Sequence, residues 1–243
     1  MKPKMYSEPK HNQLLAALQP DEYDALLPTL EPIRLKLGQV MFSEDDPIDS
    51  MVFITMGAAS IRAVAGANEV ELALVGTEGL IGLLLIINSA ALYKAVMLSS
   101  GEGYCLSSKH VARHARRRTP LAAIVRSYAG FTTRTLARGA ICACSHTIEQ
   151  RLAKWLLEMR DHEHDASLAI THEMISKTLC VRRASVSEAL QRLESRRVLS
   201  HRRGGVTIID DRVLESIACS CYRYVSEQTE RFLKSLTARN GGT

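Results

Sequence analysis

The first half of the chain has the hydrophobic pattern of short β-strands. Between about residues 33 and 108, segments such as 50–64 and 69–76 show partial alternation of apolar and polar positions, and turn-forming residues interrupt them. Several short strands at this spacing predict an antiparallel barrel or sandwich. A short helical pair around Pro20, with Asp21 as a helix start, precedes them.

After residue 108 the apolar period lengthens to that of an α-helix. A helical stretch restarts at Pro120 and runs to about Ser145. Seven of its positions alternate four and three apart, the spacing of a coiled-coil seam: Leu121, Val125, Tyr128, Thr132, Thr135, Gly139 and Cys142. We interpret this seam as a dimer interface. The alternative is that the same stripe packs against the β-domain of its own chain.

Helical spacing returns in two later segments, residues 147–160 and the tail from 214 to 236. We expect the tail to pack on the domain that precedes it or across a dimer.

Between these two segments the pattern predicts two short helices and a tight turn. Thr171 is a good N-cap, and helical character stops around 179–181. A second helix begins near 182–185. Its buried face consists of four apolar residues at helical spacing: Val186, Ala189, Leu190 and Leu193. This layout is typical of a helix-turn-helix, whose second helix enters the major groove of DNA.

A β-hairpin is predicted directly after the second helix. Residues 198–200 and 206–209 have strand character, and the basic, glycine-containing stretch 201–205 is the expected turn. The region from Arg182 to Arg203 holds seven arginines and only two acidic residues. We interpret the hairpin as a wing whose basic tip follows the sugar-phosphate backbone. A solvated amphipathic helix pair with a charged loop is the alternative.

These patterns predict a set of DNA-contacting side chains. Arg183 is the candidate base reader, since a guanidinium can donate two hydrogen bonds to guanine. Short hydroxyl side chains suit phosphate or base contacts, and the first helix begins where amide groups favour a phosphate. The full candidate set is Thr171, His172, Arg182, Arg183, Ser185, Ser187, Arg202 and Arg203.

The charge distribution supports this division of labour. Residues 1–108 carry 7 Lys and Arg against 13 Asp and Glu, a net −6, and residues 109–243 carry 24 against 13, a net +11, which together make the formal net charge of +5. Only the basic half is expected to approach phosphates. The chain shows no run of about 18 uncharged apolar residues and no secretory signal at its start. We therefore expect a cytoplasmic protein without a membrane partner.

Six cysteines occur, and four of them form two Cys-x-Cys pairs: Cys142 with Cys144, and Cys219 with Cys221. The pairs could join as four thiolates around zinc, but this spacing is tighter than zinc sites usually use. Both pairs lie in helical patterns, where residues i and i+2 point in nearly opposite directions. We interpret them as buried structural cysteines and predict neither a metal site nor a cofactor.

The order of these elements resembles the Crp/Fnr superfamily of bacterial transcription regulators over roughly residues 14–225. The most specific matches are RLAKWLLEM, ITHEMISKTLCVRRASVSEALQRLE and RRGGVTIID. The resemblance implies an α+β fold with a cyclic-nucleotide-binding-like β jelly roll, a long dimerisation helix and a C-terminal winged helix-turn-helix. We expect these parts over residues 1–118, 119–146 and 147–243. The resemblance also implies a homodimer on a palindromic promoter site, with RNA polymerase as a further partner.

The sequence departs from the family where its effectors bind. The glutamate and the Arg-Ser or Arg-Thr pair of the cyclic-nucleotide binders are replaced here by Leu83 and by Tyr93-Lys94. Leucine cannot accept a hydrogen bond from ribose, so cyclic AMP is not the expected ligand. The iron–sulfur members carry their cysteines near the N-terminus, whereas the first cysteine here is Cys105. The effector-binding residues are left unassigned.

The recognition helix also departs from the family pattern. Arg183 matches the guanine-reading arginine, but Ala184 stands at a frequent glutamate and Glu188 at a frequent arginine, so we expect a different operator. Cys180 replaces the glycine of the turn. If that position needs a positive φ, cysteine adds strain there.

The prediction is therefore a DNA-binding transcription regulator with double-stranded DNA as its partner. No nucleophile–base pair, paired catalytic carboxylates or phosphate-binding glycine loop accompanies the motifs, so an enzyme is not expected. The alternative is a ligand- or protein-binding module, or a thiol redox sensor, whose winged helix contacts a partner other than DNA.

Overall fold

The computed structural model describes residues 6–115 and 119–240. Its described residues divide into two compact units. The first comprises residues up to 61, 75–133 and those from 228 onwards, and the second comprises 62–74 and 134–227.

Strands of the β-rich part form two four-stranded sheets. In chain order they are β1 (Glu31–Leu35), β2 (Val40–Phe42), β3 (Ser50–Met56), β4 (Ala59–Ala65), β5 (Asn68–Val75), β6 (Leu80–Ile81), β7 (Lys94–Met97) and β8 (Gly101–Ser107). One sheet has the order β1-β8-β3-β6 and the other β2-β7-β4-β5. Strand β8 runs antiparallel to both β1 and β3, with Phe53 opposite Tyr104. This is the β-sandwich that the strand pattern predicted.

Short helices flank the sandwich: α1 (Gln13–Ala16), α2 (Pro20–Leu26) and α3 (Ser108–His114). The helical pair around Pro20 is confirmed, although Pro20 itself is the first helical residue and Gln19 precedes it as N-cap. Apolar residues of these helices join those of the sheets in one core that includes Leu14, Phe53 and Leu106. The longest apolar run of the sequence continues from β6 into a 3₁₀ helix over Leu83–Ile87.

A 26-residue helix, α4 (Pro120–Ser145), confirms the predicted long helix. Its seam, however, is packed within its own chain. Leu121, Val125 and Tyr128 are buried in the first unit's core, and the Tyr128 hydroxyl donates to the carbonyl of Leu80 at 3.2 Å. Farther along, a Cβ added at Gly139 would overlap the carbonyl oxygen of Leu72, within the second unit. These residues pack against their own chain, which was the alternative interpretation of the seam. The prediction that the seam is a dimer interface is therefore wrong for these positions.

The second unit contains a helical domain with a small sheet. Its elements are α5 (Ile148–Glu163), β9 (Ser167–Leu168), α6 (His172–Leu179), α7 (Arg183–Ser195), β10 (Leu199–Arg202), β11 (Gly205–Ile208) and α8 (Asp211–Ile217). Helix α5 starts with a capping box, in which Thr147 and Gln150 satisfy each other's backbone amides. Its inner face is buried and includes Trp155, Leu156 and Met159.

The last helix, α9 (Cys221–Asn240), contributes residues to both units. In the first unit Phe232 and Leu236 are buried in the core, and the Phe232 ring stacks on Phe131 with centroids 4.8 Å apart. The end of the tail thus packs on the β-rich unit, which we had not predicted. Among the described helices, none has the length and apolar character needed to cross a membrane.

Candidate nucleic-acid interface

Helices α6 and α7 form the predicted helix-turn-helix. The Thr171 hydroxyl caps α6 by accepting the Met174 amide at 3.1 Å, as its N-cap pattern indicated. The facing sides of the two helices are buried: Ile175, Thr178, Leu179, Val186, Ala189, Leu190 and Leu193. Burial of this apolar stripe determines which face of α7 points outward.

The turn between the helices confirms the conditional expectation for Cys180. This residue ends α6 with φ +52° and ψ +52°, the left-handed region. The Val181 amide then donates to the Ser176 carbonyl at 3.0 Å, and the Ser176 hydroxyl donates to the Val181 carbonyl at 2.9 Å. The geometry is that of a glycine C-cap built with a cysteine whose side chain is exposed.

The wing is a three-stranded sheet with the order β10-β11-β9. Leu199 pairs with Ile208 and Arg202 with Gly205, so the turn contains only Arg203 and Gly204. It is shorter than the five-residue turn that we expected. Gly204 has φ +86°, which this tight turn requires. The pairing places two arginines, 202 and 203, at the exposed tip.

A groove of about 550 Å³ lies between the start of α6, the start of α7 and the wing. Eight residues line it: Thr171, His172, Glu173, Arg183, His201, Arg202, Arg203 and Gly204. Residues separated by 30 positions in sequence therefore share one basic surface. We call this the α6–α7–wing groove.

Five of the eight predicted site residues line this groove, and three do not. Arg182 is exposed just before α7. Ser185 is half-buried in its first turn. The Ser187 hydroxyl lies 3.1 Å from Nδ1 of His172 and donates to the Arg183 carbonyl at 3.2 Å. In this structure Ser187 thus positions a histidine of the groove.

Other arginines of this region hold the domain together. Arg192 Nε and Arg196 Nη1 each lie 2.9 Å from the carboxylate of Glu149. Arg151 donates to the Leu179 carbonyl at 2.6 Å and so satisfies the end of α6. Arg192 and Arg196 belong to the seven arginines counted between Arg182 and Arg203. Fewer than seven are therefore available to a nucleic acid.

Sequence reasoning missed His201 and Glu173, which also line the groove. The ring centroids of His201 and His172 lie 5.7 Å apart. Burial lowers the pKa of His172, and the neighbouring His201 and Arg183 lower it further. A phosphate would reverse that balance, because it favours the protonated ring. Glu173 pairs with Lys177 at 3.0 Å, a spacing of four that the sequence did contain.

The position that matches the ribose-binding glutamate carries no hydrogen-bond acceptor in its side chain. Leu83 is buried at the start of the 3₁₀ helix. Tyr93 lies with its ring centroid 5.7 Å from that of Phe42, and burial raises the pKa of its hydroxyl to about 12. Both side chains are neutral.

The cysteines are partly as the sequence suggested. Cys142, Cys219 and Cys221 are buried, with all three sulfurs within 4.8 Å of one another, while Cys144 is exposed. The helical-spacing argument holds for Cys142 and Cys144. It fails for the second pair, because Cys219 precedes α9 and only Cys221 is helical.

Helices α6 and α7 and the wing together have the architecture of a winged helix-turn-helix domain. Residues 150–217 match the family model of the Crp-like helix-turn-helix domain. This match covers the helix-turn-helix part of the second unit.

Several solved structures share this fold. A Crp/Fnr-family transcriptional regulator from Eubacterium rectale ATCC 33656 is 16% identical with a TM-score of 0.69, over 86% of this chain and 98% of that one. FixK2 from Bradyrhizobium japonicum is 15% identical with a TM-score of 0.65, over 79% and 98%. The c-di-GMP-responsive regulator CLP of Xanthomonas campestris is 16% identical with a TM-score of 0.62, over 78% and 99%. At these identities the likeness shows the fold. A comparison with curated proteins finds no significant match.

Proposed function

We propose that this protein binds a palindromic promoter site as a homodimer and regulates transcription there, with RNA polymerase as a further partner. The observation that carries the proposal is the α6–α7–wing groove, which brings Arg183 of the recognition helix beside Arg202 and Arg203 of the wing. A regulator of the Crp/Fnr type needs one structural element that contacts base edges and another that contacts the sugar-phosphate backbone. This groove offers both.

In this proposal Arg183 reads a guanine, because its exposed guanidinium stands at the N-terminal end of α7. Thr171 and His172 meet a phosphate at the start of α6, and Ser187 holds the ring of His172. Arg202 and Arg203 follow the backbone from the wing tip. Arg182 and Ser185 flank the recognition helix and make further backbone or base contacts.

The proposed dimer uses the face of α4 that is exposed in the single chain. Its exposed positions repeat four and three apart: Arg126, Gly130, Thr133, Ala137, Ala140 and Cys144. Ile141 beside them is 52% exposed, unusual for an isoleucine in a long helix. Light scattering should give a dimer for the wild type and a monomer for Ala137→Glu. A monomeric wild type at working concentration would refute this interface.

Selection of bound duplexes from a random DNA pool tests the function directly. We expect the wild type to enrich a two-fold symmetric site with half-sites about 10 bp apart. Arg183→Ala should enrich a site that has lost its base preference at one position in each half-site. Its affinity for the wild-type site should fall by about 1–3 kcal/mol of binding free energy.

Arg196→Ala is the matched control. It removes the same charge from the end of α7, but its guanidinium is paired with Glu149. It should enrich the wild-type site. Absence of any enriched sequence with the wild type, or an identical site with Arg183→Ala, would contradict the proposal.

A further inference from the structure

Three thiols converge in the second unit, outside the α6–α7–wing groove. The sulfurs of Cys142 and Cys219 are 3.5 Å apart, and that of Cys221 lies within 4.8 Å of both. Their exposed fractions are 5%, 4% and 0%. Among the described residues these three cysteines form a buried cluster of their own, separate from the apolar core of the β-rich unit.

The chain brings them together from three places. Cys142 lies near the end of α4, Cys219 in the loop after α8, and Cys221 at the first position of α9. The Cys219 amide donates to the Gln150 carbonyl at 3.3 Å. Because Cys219 is outside the helix, its side chain turns toward that of Cys221. A Cys-x-Cys pair that straddles a helix start can therefore chelate, whereas one inside a helix cannot.

Two cationic side chains act on the cluster. The positive charge of Lys154 acts on Cys142, and that of Arg138 on Cys221. Lys154 is held by Glu158 at 2.6 Å and Arg138 by the face of Tyr224 at 4.5 Å, so both cations are fixed beside the cluster.

We propose that Cys142, Cys219 and Cys221 bind a thiophilic d¹⁰ metal ion, Zn²⁺ or Cu(I). Soft thiolates select these two ions. Zinc–sulfur bonds of about 2.3 Å place tetrahedral sulfurs about 3.8 Å apart, within the separations seen here. Cu(I) would be satisfied by three thiolates, whereas zinc would take a fourth ligand from water.

A surface groove borders the cluster. Cys219 lines this groove, of about 410 Å³, together with Ser220 and Tyr224. Once bound, the metal ion would fasten the end of α4 to the start of α9.

Metal titration of the full chain under reducing conditions tests the site. Zn²⁺ is added in equilibrium dialysis, and Cu(I) in competition with a chromogenic chelator. We expect one ion per chain for at least one metal, and thiolate-to-metal charge-transfer absorption when Co²⁺ replaces zinc. Cys142→Ser, Cys219→Ser and Cys221→Ser should each weaken binding by at least about 100-fold, because even outer partners of metal ligands contribute 10- to 100-fold.

Cys144→Ser is the matched control, since Cys144 is exposed two residues from Cys142 on the same helix. It should bind as the wild type does. Because a serine variant could misfold, a second readout uses the wild type alone. Bound metal should protect Cys142, Cys219 and Cys221 from alkylation in mild denaturant, and leave Cys180 unprotected.

Several results would overturn the proposal. They are failure of the wild type to bind either ion, equal binding by the three serine variants, or metal-independent alkylation. A Cys142–Cys219 disulfide in place of metal binding would also overturn it. None of these results bears on the DNA contacts of the α6–α7–wing groove, so the two proposals fail independently.

Discussion

Cys180→Gly should stabilise the protein. Cys180 occupies the left-handed region with φ +52°, where a Cβ costs about 1–2 kcal/mol. Glycine removes that cost but adds about 0.4–1 kcal/mol of unfolded-chain entropy. The cysteine side chain is exposed, so its removal sacrifices little packing. The expected net increase in the free energy of unfolding is about 0.5–1 kcal/mol.

Urea unfolding followed by circular dichroism measures this gain as a higher midpoint at unchanged slope. In a thermal scan this gain corresponds to a rise in Tm of about 1–4 °C for a chain of this size. Cys180→Ala is the matched control: it removes the thiol and keeps the Cβ, so it should leave the midpoint unchanged. The pair separates backbone strain from any property of the sulfur.

Two results would refute the reasoning. If Cys180→Gly and Cys180→Ala raise the midpoint equally, the thiol and not the backbone carries the cost. If Cys180→Gly lowers the midpoint, the turn does not hold a left-handed residue.

Further perturbations test other parts of the structure. Gly139→Ala should cost about 1–3 kcal/mol, since the added methyl overlaps the Leu72 carbonyl; an unchanged urea midpoint would contradict that packing. Thr147→Ala should lower the free energy of unfolding by about 1 kcal/mol, because it removes the capping box with Gln150. Thr147→Ser keeps the capping hydroxyl and should be as stable as the wild type. Burial and cationic neighbours lower the pKa of His172, so the unfolded chain takes up that proton first as pH falls through about 6.5. The free energy of unfolding therefore falls below that pH. Between about pH 7.5 and 5.5, His172→Asn should lose less unfolding free energy than the wild type; equal losses would contradict a lowered pKa for His172.

Local patterns predicted the winged domain well because its signals are short in range. The N-cap at Thr171, the apolar face of α7 and the glycine-containing wing turn each depend on neighbours in sequence. The strain at Cys180 was also visible, since a glycine is usual at that turn.

Long-range packing was not predictable in the same way. The α4 seam has coiled-coil spacing, but such spacing records only that one face is apolar, not what covers it. Here the covering partners include the Leu80 carbonyl for Tyr128 and the Phe232 ring of α9. Likewise, helical spacing cannot show that Cys219 falls in a loop, so the convergence of three thiols appeared only with the fold.

The most direct test of the DNA-binding account is the salt dependence of duplex affinity. The wild type should show a steep linear fall of log K with log salt concentration, on any duplex sequence. Arg202→Ala combined with Arg203→Ala should reduce that slope by about 1 for each phosphate that the wing no longer neutralises, and weaken all sequences similarly. A wild-type affinity that is insensitive to salt, or a slope that the double variant leaves unchanged, would contradict the central claim.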